Sequence, residues 1–143
     1  MGAAPDLVAR AVADLKRERP RLNVRILGET SDQIGLLLER NQIELAVGRF
    51  IGPLEHNKFD FLPLANEPMQ LVVRSGHPLI KRKKLDWQEL VKWPWILQTL
   101  SSPARVLLED EFARAGVSSP YDVVECTSIF ATLQLVQSSS ALA

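Results

Sequence analysis

The sequence predicts an α/β fold that is divided into two small lobes with mainly parallel sheets. Segments with helical spacing of apolar residues alternate along the chain with short apolar runs typical of strands. Serine, threonine and aspartate stand at the starts of the predicted helices, where capping residues belong. The longest break in this alternation separates Gly48 from Met69, and a boundary near Asn66 gives lobes of residues 1–65 and 66–143.

Composition and charge exclude several classes of protein. Among 143 residues, 17 basic side chains balance 17 acidic ones, so the chain lacks the positive charge expected of a nucleic-acid binder. A DNA-binding element, if the full protein has one, is therefore expected outside this chain. The single cysteine, Cys126, allows no internal disulfide, which fits a reducing compartment. No apolar run approaches membrane-spanning length, and no signal peptide opens the sequence.

The first lobe is predicted to open with a helix at residues 5–19 and to continue as a β-α-β unit. Residues 23–28 and 44–48 are predicted strands, with a helix between them. That helix begins with a predicted capping box, in which Thr30 is the N-cap and Gln33 reaches back to it. A strand, a helix and a strand within so few residues predict parallel pairing and a right-handed crossover.

The remaining predicted elements follow in chain order. They are a loop at 49–58, an extended segment at 59–64, strands at 69–74, 95–98 and 122–126, a turn at 75–78, and helices capped by Asp86, by Ser102 and by Thr127 or Ser128. The Ser102-Pro103 pair is a strong helix start, because serine is a favoured N-cap and proline a favoured first helical residue. Gly116 is predicted to end that helix.

Three short features complete this interpretation of the second lobe. The basic run at residues 81–84 is interpreted as a solvated loop, and the three tryptophans at positions 87, 93 and 95 as core. Residues 138–143 are expected to end the sequence without any closing element. We also expect the chain to be truncated at both ends.

Three helix starts directly follow predicted strands, at Thr30, at Ser102 and at Thr127 or Ser128. In an open α/β sheet such starts lie at the carboxyl ends of the strands, where ligands bind. Free N–H groups and the positive end of the helix dipole suit carboxylates, phosphates and hydroxyls there. Because the starts come from both lobes, the pattern predicts a ligand held between them. The alternative for each start is plain helix capping.

Arg49 directly follows the second predicted strand and is expected to face the same crevice, where it could bind a carboxylate through two hydrogen bonds. The alternative is an exposed loop arginine. His56 and His77 lie in predicted loops without partners at ligand spacing, so no metal site is predicted. Cys126 has no histidine partner and is interpreted as a buried small hydrophobe. No catalytic residue is predicted, because the sequence shows no convergent acid, base or nucleophile.

Several short motifs, in this order and spacing, resemble the effector-binding domain of LysR-type transcriptional regulators. Residues 21–30 (RLNVRILGET) and 36–48 (LLLERNQIELAVG) resemble its first half, and residues 64–73 (LANEPMQLVV) with 77–79 (HPL) resemble the crossing into its second half. The resemblance continues through residues 85–90, 95–97, 102–105, 124–128 and 135–136. Details at 48–50 and 67–69 look most like the branch that regulates sugar or aromatic-acid catabolism.

This resemblance implies a periplasmic-binding-protein-like fold in a cytoplasmic sensor that uses no cofactor. It also implies DNA binding only through an N-terminal helix-turn-helix domain outside this chain, and no contact with a membrane. An organic effector, anionic or sugar-derived, binds between the lobes of such sensors. Carried over residue by residue, the effector contacts fall on Thr30, Ser31, Arg49, Ser101, Ser102, Pro103, Ala104, Thr127 and Ser128.

The resemblance further implies a homodimer, and a tetramer of the full-length protein. The helices at 5–19 and 103–115 then meet across a two-fold axis. The family's first strand is not found before Pro5, and its returning strands are not found after Ala143, so the first lobe is expected to be incomplete. Two alternatives stay open, namely an extracytoplasmic solute-binding protein, which an export signal would distinguish, and a small α/β enzyme.

Overall fold

The computed structural model describes residues 4–49, 59–66 and 68–143. The chain divides into two compact units, Met1–Pro68 and Met69–Ala143. The helices and strands, in chain order, are α1 Ala4–Glu18, α2 Ser31–Glu39, a 3-10 helix at Pro78–Lys81, α3 Trp87–Leu90, β1 Trp95–Leu97, α4 Pro103–Arg114, β2 Val123–Glu125 and α5 Ile129–Ser138. Within the described ranges, none of these helices is both long enough and apolar enough to span a bilayer.

Both predicted helices of the first unit are confirmed. Charges at the ends of α1 match the helix dipole, with Asp6 in the first turn and Lys16 in the last. The Lys16 Nζ donates to the carbonyl oxygens of Pro20 at 2.6 Å and Leu22 at 2.7 Å. The lysine thus binds two carbonyl groups just beyond the helix end, where proline prevents the helix from continuing.

The β-α-β prediction for the first unit is wrong in the described part of the chain, because residues 23–28 and 44–48 form no paired strand. A strand is stabilised by ladder hydrogen bonds and by burial of one face. Here Ile26 is 62% exposed and Leu45 is 81% exposed, so neither segment has an apolar cover. The predicted extended segment at 59–64 also forms no regular strand among the described residues, and the predicted loop from residue 50 to 58 lies outside them.

The second unit holds a small sheet. β1 and β2 pair in parallel, with Trp95 opposite Val123, which confirms the strands predicted there. On the other side of β1, Leu142 bridges Trp95 in parallel. Val72 and Ala143 exchange both backbone hydrogen bonds, at 2.7 and 3.0 Å, as an antiparallel pair does. The sheet is therefore mainly parallel, with one antiparallel pair at its edge.

Two sequence expectations need correction at this edge. The predicted strand at 69–74 is not a regular strand among the described residues, although Val72 within it pairs with Ala143. The segment at 138–143, expected to lack a closing element, contributes fully buried Leu142 to the core. Its backbone fits beside β1, where Ile96 N donates to Leu142 O and Leu142 N donates to Pro94 O, both at 2.8 Å. The Ile96 N–H and the Pro94 carbonyl lie along the edge of β1 that does not pair with β2.

Aromatic side chains build the core of the second unit. Phe112 on α4 is 1% exposed, and its ring meets Trp87 and Trp95 edge to face, with centroids 5.3 and 5.8 Å apart. The Nε1 of Trp95 donates to the Leu90 carbonyl at 2.9 Å, so its polar group is satisfied inside the core. Trp93 packs against the same cluster, and the core role predicted for all three tryptophans is confirmed.

A smaller apolar cluster lies where α5 meets the sheet. Ile96, Val136 and Ala141 form it, and Cys126 packs against it. Cys126 is half-buried rather than buried, because it directly follows the end of β2, at the margin of this cluster. It therefore packs as a small apolar residue, as the sequence predicted, but only in part.

His77, which is predicted to lie in a loop, has a structural role. It is 1% exposed and caps the 3-10 helix, where its Nδ1 accepts the backbone N–H of Leu79 at 3.2 Å. Since Nδ1 accepts, the ring proton is on Nε2, which donates to the Ser140 carbonyl at 3.3 Å. The ring also lies 4.6 Å from that of Trp93. His77 thus joins a turn, the core and the final segment of the chain.

Candidate functional site

The predicted site residues of the second unit lie at one edge of its sheet. Leu97 ends β1 and pairs with Glu125, which ends β2, and the next residue, Cys126, donates its N–H to the Leu97 carbonyl at 2.8 Å. The turn at 101–104 follows β1, and residues 127–128 follow β2. Because neighbouring parallel strands end on the same side, both helix starts are placed at the carboxyl edge of this sheet.

The start of α4 is a closed cap. Ser102 is fully buried, and its Oγ accepts the backbone N–H of Arg105 at 3.2 Å. Its carbonyl accepts the N–H of Val106 at 3.0 Å, and Pro103 has no N–H to satisfy. The N–H of Ala104 is the first-turn donor that finds no acceptor within the described ranges. A ligand at this turn would therefore meet Ala104 N–H rather than the Ser102 hydroxyl.

Ser101 and Thr99 place two hydroxyl groups just before this cap. Ser101 is exposed, and its Oγ lies 3.4 Å from the Oγ1 of Thr99. Ser101 was predicted as an effector contact, whereas Thr99 was not. The signal available was a hydroxyl residue two positions beyond the end of β1, with a second hydroxyl two positions further on.

The start of α5 resolves the alternative between two capping residues. Ser128 is the N-cap, because its Oγ accepts the N–H of Ala131 at 3.3 Å and its carbonyl accepts that of Thr132 at 2.9 Å. Thr127 is exposed and takes no part in this cap. The Ser128 hydroxyl therefore stabilises α5, while the Thr127 hydroxyl faces solvent.

The start of α2 differs from those of α4 and α5. Thr30 is the N-cap, with extended backbone at φ −70° and ψ 153°, but its side chain makes no capping hydrogen bond. The predicted capping box is wrong, because the Gln33 Nε2 donates instead to the Asp32 carboxylate at 3.3 Å. The Gln33 side chain is thus bonded to its neighbour Asp32 rather than to Thr30. The partly exposed Thr30 hydroxyl is bound by no other described side chain or backbone group.

Ser31 and Arg49 lie together in the first unit. The backbone N–H of Arg49 donates to the Ser31 Oγ at 3.1 Å, across 18 positions of sequence. Both residues are half-buried. Three predicted effector residues, Thr30, Ser31 and Arg49, are therefore grouped at the start of α2. The six others are grouped in the second unit: Ser101, Ser102, Pro103, Ala104, Thr127 and Ser128.

The second unit also has an open cavity of about 550 Å³, which none of the predicted effector residues lines. Its lining residues are Gln88, Val91, Lys92, Val117, Ser118, Ser119 and Tyr121. Across the described residues, no three histidine, cysteine, aspartate or glutamate side chains group as metal ligands would. The polar groups at the starts of α2, α4 and α5 are hydroxyl and backbone N–H groups. Such groups suit reversible binding of a polar molecule.

The chain matches the family model of the LysR substrate binding domain over residues 1–143. It is 31% identical over 143 residues to the HTH-type transcriptional regulator GbpR of Azospirillum brasilense, covering 99% of this chain and 42% of that protein. It is 28% identical over 140 residues to GbpR of Rhizobium radiobacter, covering 98% and 46%. It is 38% identical over 81 residues to the HTH-type transcriptional regulator GalR of Pseudomonas putida, covering 57% and 20%.

The chain therefore spans less than half the length of these regulators. The family has a periplasmic-binding-protein-like α/β fold, and the helices and small parallel sheet of the second unit agree with it. The relatives are named as transcriptional regulators and not as enzymes. Because the family model covers every residue, the chain belongs to the LysR substrate-binding domain family.

Proposed function

We propose that this chain is the effector-binding domain of a cytoplasmic LysR-type transcriptional regulator and that it binds an anionic or sugar-derived organic molecule. Family membership over residues 1–143 supports the sensor role. The matched regulators are more than twice as long as the matched region and carry the designation HTH-type. DNA contacts then belong to a helix-turn-helix domain outside this chain, and the effector changes DNA affinity by favouring one conformation of the regulator.

The uncommitted hydroxyl of Thr30 is the observation that carries the proposed site. Ser102 and Ser128 use their hydroxyl oxygens to cap α4 and α5, whereas Thr30 makes no such bond. Its hydroxyl can donate one hydrogen bond and accept others. It stands at the start of a nine-residue helix, where backbone N–H groups and the helix dipole favour oxygen-rich or anionic ligands.

The turn at 101–104 supplies the contacts of the second unit. Ser101 is exposed and Ala104 has an open N–H, so these two residues bind the effector directly in our proposal. Ser102 is fully buried and Pro103 lacks an N–H, so they shape the turn rather than donate to a ligand. Thr127, exposed at the same sheet edge, offers a further hydroxyl.

Arg49 provides selectivity for anions in this proposal. Its backbone N–H already holds the Ser31 hydroxyl, which ties the arginine to the start of α2. In our proposal the Arg49 guanidinium adds a full positive charge to the partial charge of the helix dipole. A carboxylate ligand would then be favoured over a neutral molecule of the same shape.

We also propose that α1 and α4 form a two-fold dimer interface. Leu7 and Leu15 on α1 and Val106 on α4 are exposed, as apolar residues of an interface are in a single chain. Arg10 pairs with Asp6 at 2.9 Å and Arg17 pairs with Asp14 within α1, so apolar contact rather than these charges would hold the dimer. Light scattering should show that the chain is a dimer and that the Leu7→Glu variant is a monomer. A Leu7→Glu variant with the same mass as wild type would show that α1 is not part of the interface.

Titration calorimetry of the full-length regulator tests the site. The probes are two pairs of a carboxylate and a neutral compound, D-gluconate with D-glucose and benzoate with benzamide. If one of them binds, Thr30→Ala should weaken binding by about 0.5–1.5 kcal/mol for a neutral hydrogen bond, or about 1.5–3 kcal/mol for a charged one. Ser118→Ala is the control, because Ser118 is an exposed hydroxyl residue of the separate cavity. Unchanged affinity in both Thr30→Ala and Ser101→Ala would overturn the proposed site.

A further inference from the structure

α4 carries an arginine that is almost fully enclosed. Arg105 is 8% exposed and stands in the first turn of the helix. Its backbone N–H donates to the Ser102 hydroxyl, and its Nε donates to the Glu109 carboxylate one turn later. A buried charge requires a partner, because removal from water is costly. Arg105 therefore connects the cap of α4 with a carboxylate further along the same helix.

Glu109 is held from two sides. One carboxylate oxygen accepts the hydrogen bond from Arg105, and the other accepts the hydroxyl of Ser119. Ser119 lies in the loop from α4 to β2, three residues beyond Gly116, whose φ of +67° turns the chain out of the helix. Three side chains thus fasten α4 to the loop that follows it, and we name them the Arg105–Glu109–Ser119 link.

A second ion pair on the same helix lacks these properties. Arg114 pairs with Glu111 in the last two turns, with side chains that are 65% and 46% exposed. Solvent screens such a pair, and it touches neither the Ser102 cap nor the loop before β2. The exposed pair therefore serves as a matched control for the enclosed one.

On the basis of the effector-binding function proposed above, we propose that Arg105, Glu109 and Ser119 are positioning residues for the effector turn. A rotation of α4 about its axis would move the Arg105 N–H away from the Ser102 hydroxyl and would turn the open N–H of Ala104. The link opposes that rotation, because it anchors the first two turns of α4 to a loop outside the helix. Ser101 and Ala104 then keep their orientation without a ligand.

Amide hydrogen exchange of the full-length regulator without ligand tests the positioning role. Glu109→Ala should increase exchange at the Arg105 and Val106 amides at least tenfold, because both donate to Ser102. The Ile96 and Cys126 amides, which bond within the sheet, should change less than twofold. Glu109→Gln should restore most of the protection, since an amide can still accept from Arg105 and meet Ser119. Glu111→Gln should leave all four amides unchanged.

Titration with D-gluconate and benzoate gives a second, functional readout. At a temperature where every variant is folded, Ser119→Ala and Glu109→Ala should weaken binding at least threefold, whereas Glu111→Gln should not. Equal exchange in Glu109→Ala and wild type would overturn the positioning role. Faster exchange by the same factor at Ile96 as at Arg105 would also overturn it, since that is general destabilisation.

The two proposals fail in distinguishable ways. If neither probe binds the wild-type regulator, the effector class proposed above is wrong, while the exchange of the Arg105 amide still decides the role of the link. If a probe binds with equal affinity to wild type and to Glu109→Ala, the link does not position the effector turn, and the proposed function stands.

Discussion

The hydroxyl of Ser102 accepts the backbone N–H of Arg105 at 3.2 Å inside the fully buried cap of α4. Thr30 occupies the same capping position at α2, yet its side chain makes no capping bond. Two helix starts that look alike in sequence therefore differ in what their hydroxyl groups do. The Ser102 hydroxyl caps its helix, whereas the Thr30 hydroxyl makes no capping bond.

This difference predicts unequal effects of two alanine substitutions on the free energy of unfolding. Ser102→Ala should lower the free energy of unfolding by about 1–2 kcal/mol, because it removes a cap and leaves a buried N–H without an acceptor. Thr30→Ala should change it by less than about 0.5 kcal/mol, since no bond is lost. Urea denaturation measures both values. Equal losses for the two variants would contradict the distinction between the caps.

Substitution of His77 should destabilise the second unit through the loss of several contacts. His77→Ala removes the cap for Leu79, the bond to Ser140 and the ring contact with Trp93, which together amount to about 3 kcal/mol. His77→Asn should lose less, because an asparagine oxygen can still cap the 3-10 helix. Thermal unfolding of both variants checks the order. A His77→Ala variant as stable as wild type would show that these contacts contribute nothing.

Arg49→Gln should separate anionic from neutral ligands. The substitution leaves the backbone bond to Ser31 in place and removes the positive charge. Binding of benzoate or D-gluconate should weaken by about 1.5–3 kcal/mol, because a hydrogen bond to a charged group usually contributes that much. Binding of benzamide and D-glucose should change little. Calorimetry with the four probes measures the difference. Equal losses for a carboxylate and its neutral counterpart would make Arg49 a structural loop residue.

Helices and their caps were predictable from the sequence because their signals are local. The Ser102-Pro103 start, the Asp86 cap and the end at Gly116 all follow from residues a few positions apart. The failed capping box at Thr30 shows the limit of such signals. The Gln33 side chain donates to the Asp32 carboxylate, and the capping-box pattern does not consider that neighbour.

Strands were less predictable because their partners are distant in sequence. Val72 pairs with Ala143, and Trp95 pairs with Leu142. No local sequence pattern predicts either contact. The segments at 23–28 and 44–48 have apolar residues typical of strands, but their side chains find no cover in the described part of the first unit. In the candidate site, the positions of the hydroxyl groups were predictable from the sequence. Whether a hydroxyl caps its helix could be seen only from the hydrogen bonds in the structure.

In our proposal, effector binding by this domain controls DNA binding elsewhere in the full-length regulator. The most direct test measures its affinity for a genomic fragment that it selects in vitro, with and without a saturating bound probe. The bound probe should change DNA affinity, and DNA should change probe affinity by the same factor, as linkage requires. Thr30→Ala with Ser101→Ala should reduce that factor toward one and leave DNA affinity without probe unchanged. A DNA affinity that does not depend on a bound probe would show that the effector does not control DNA binding.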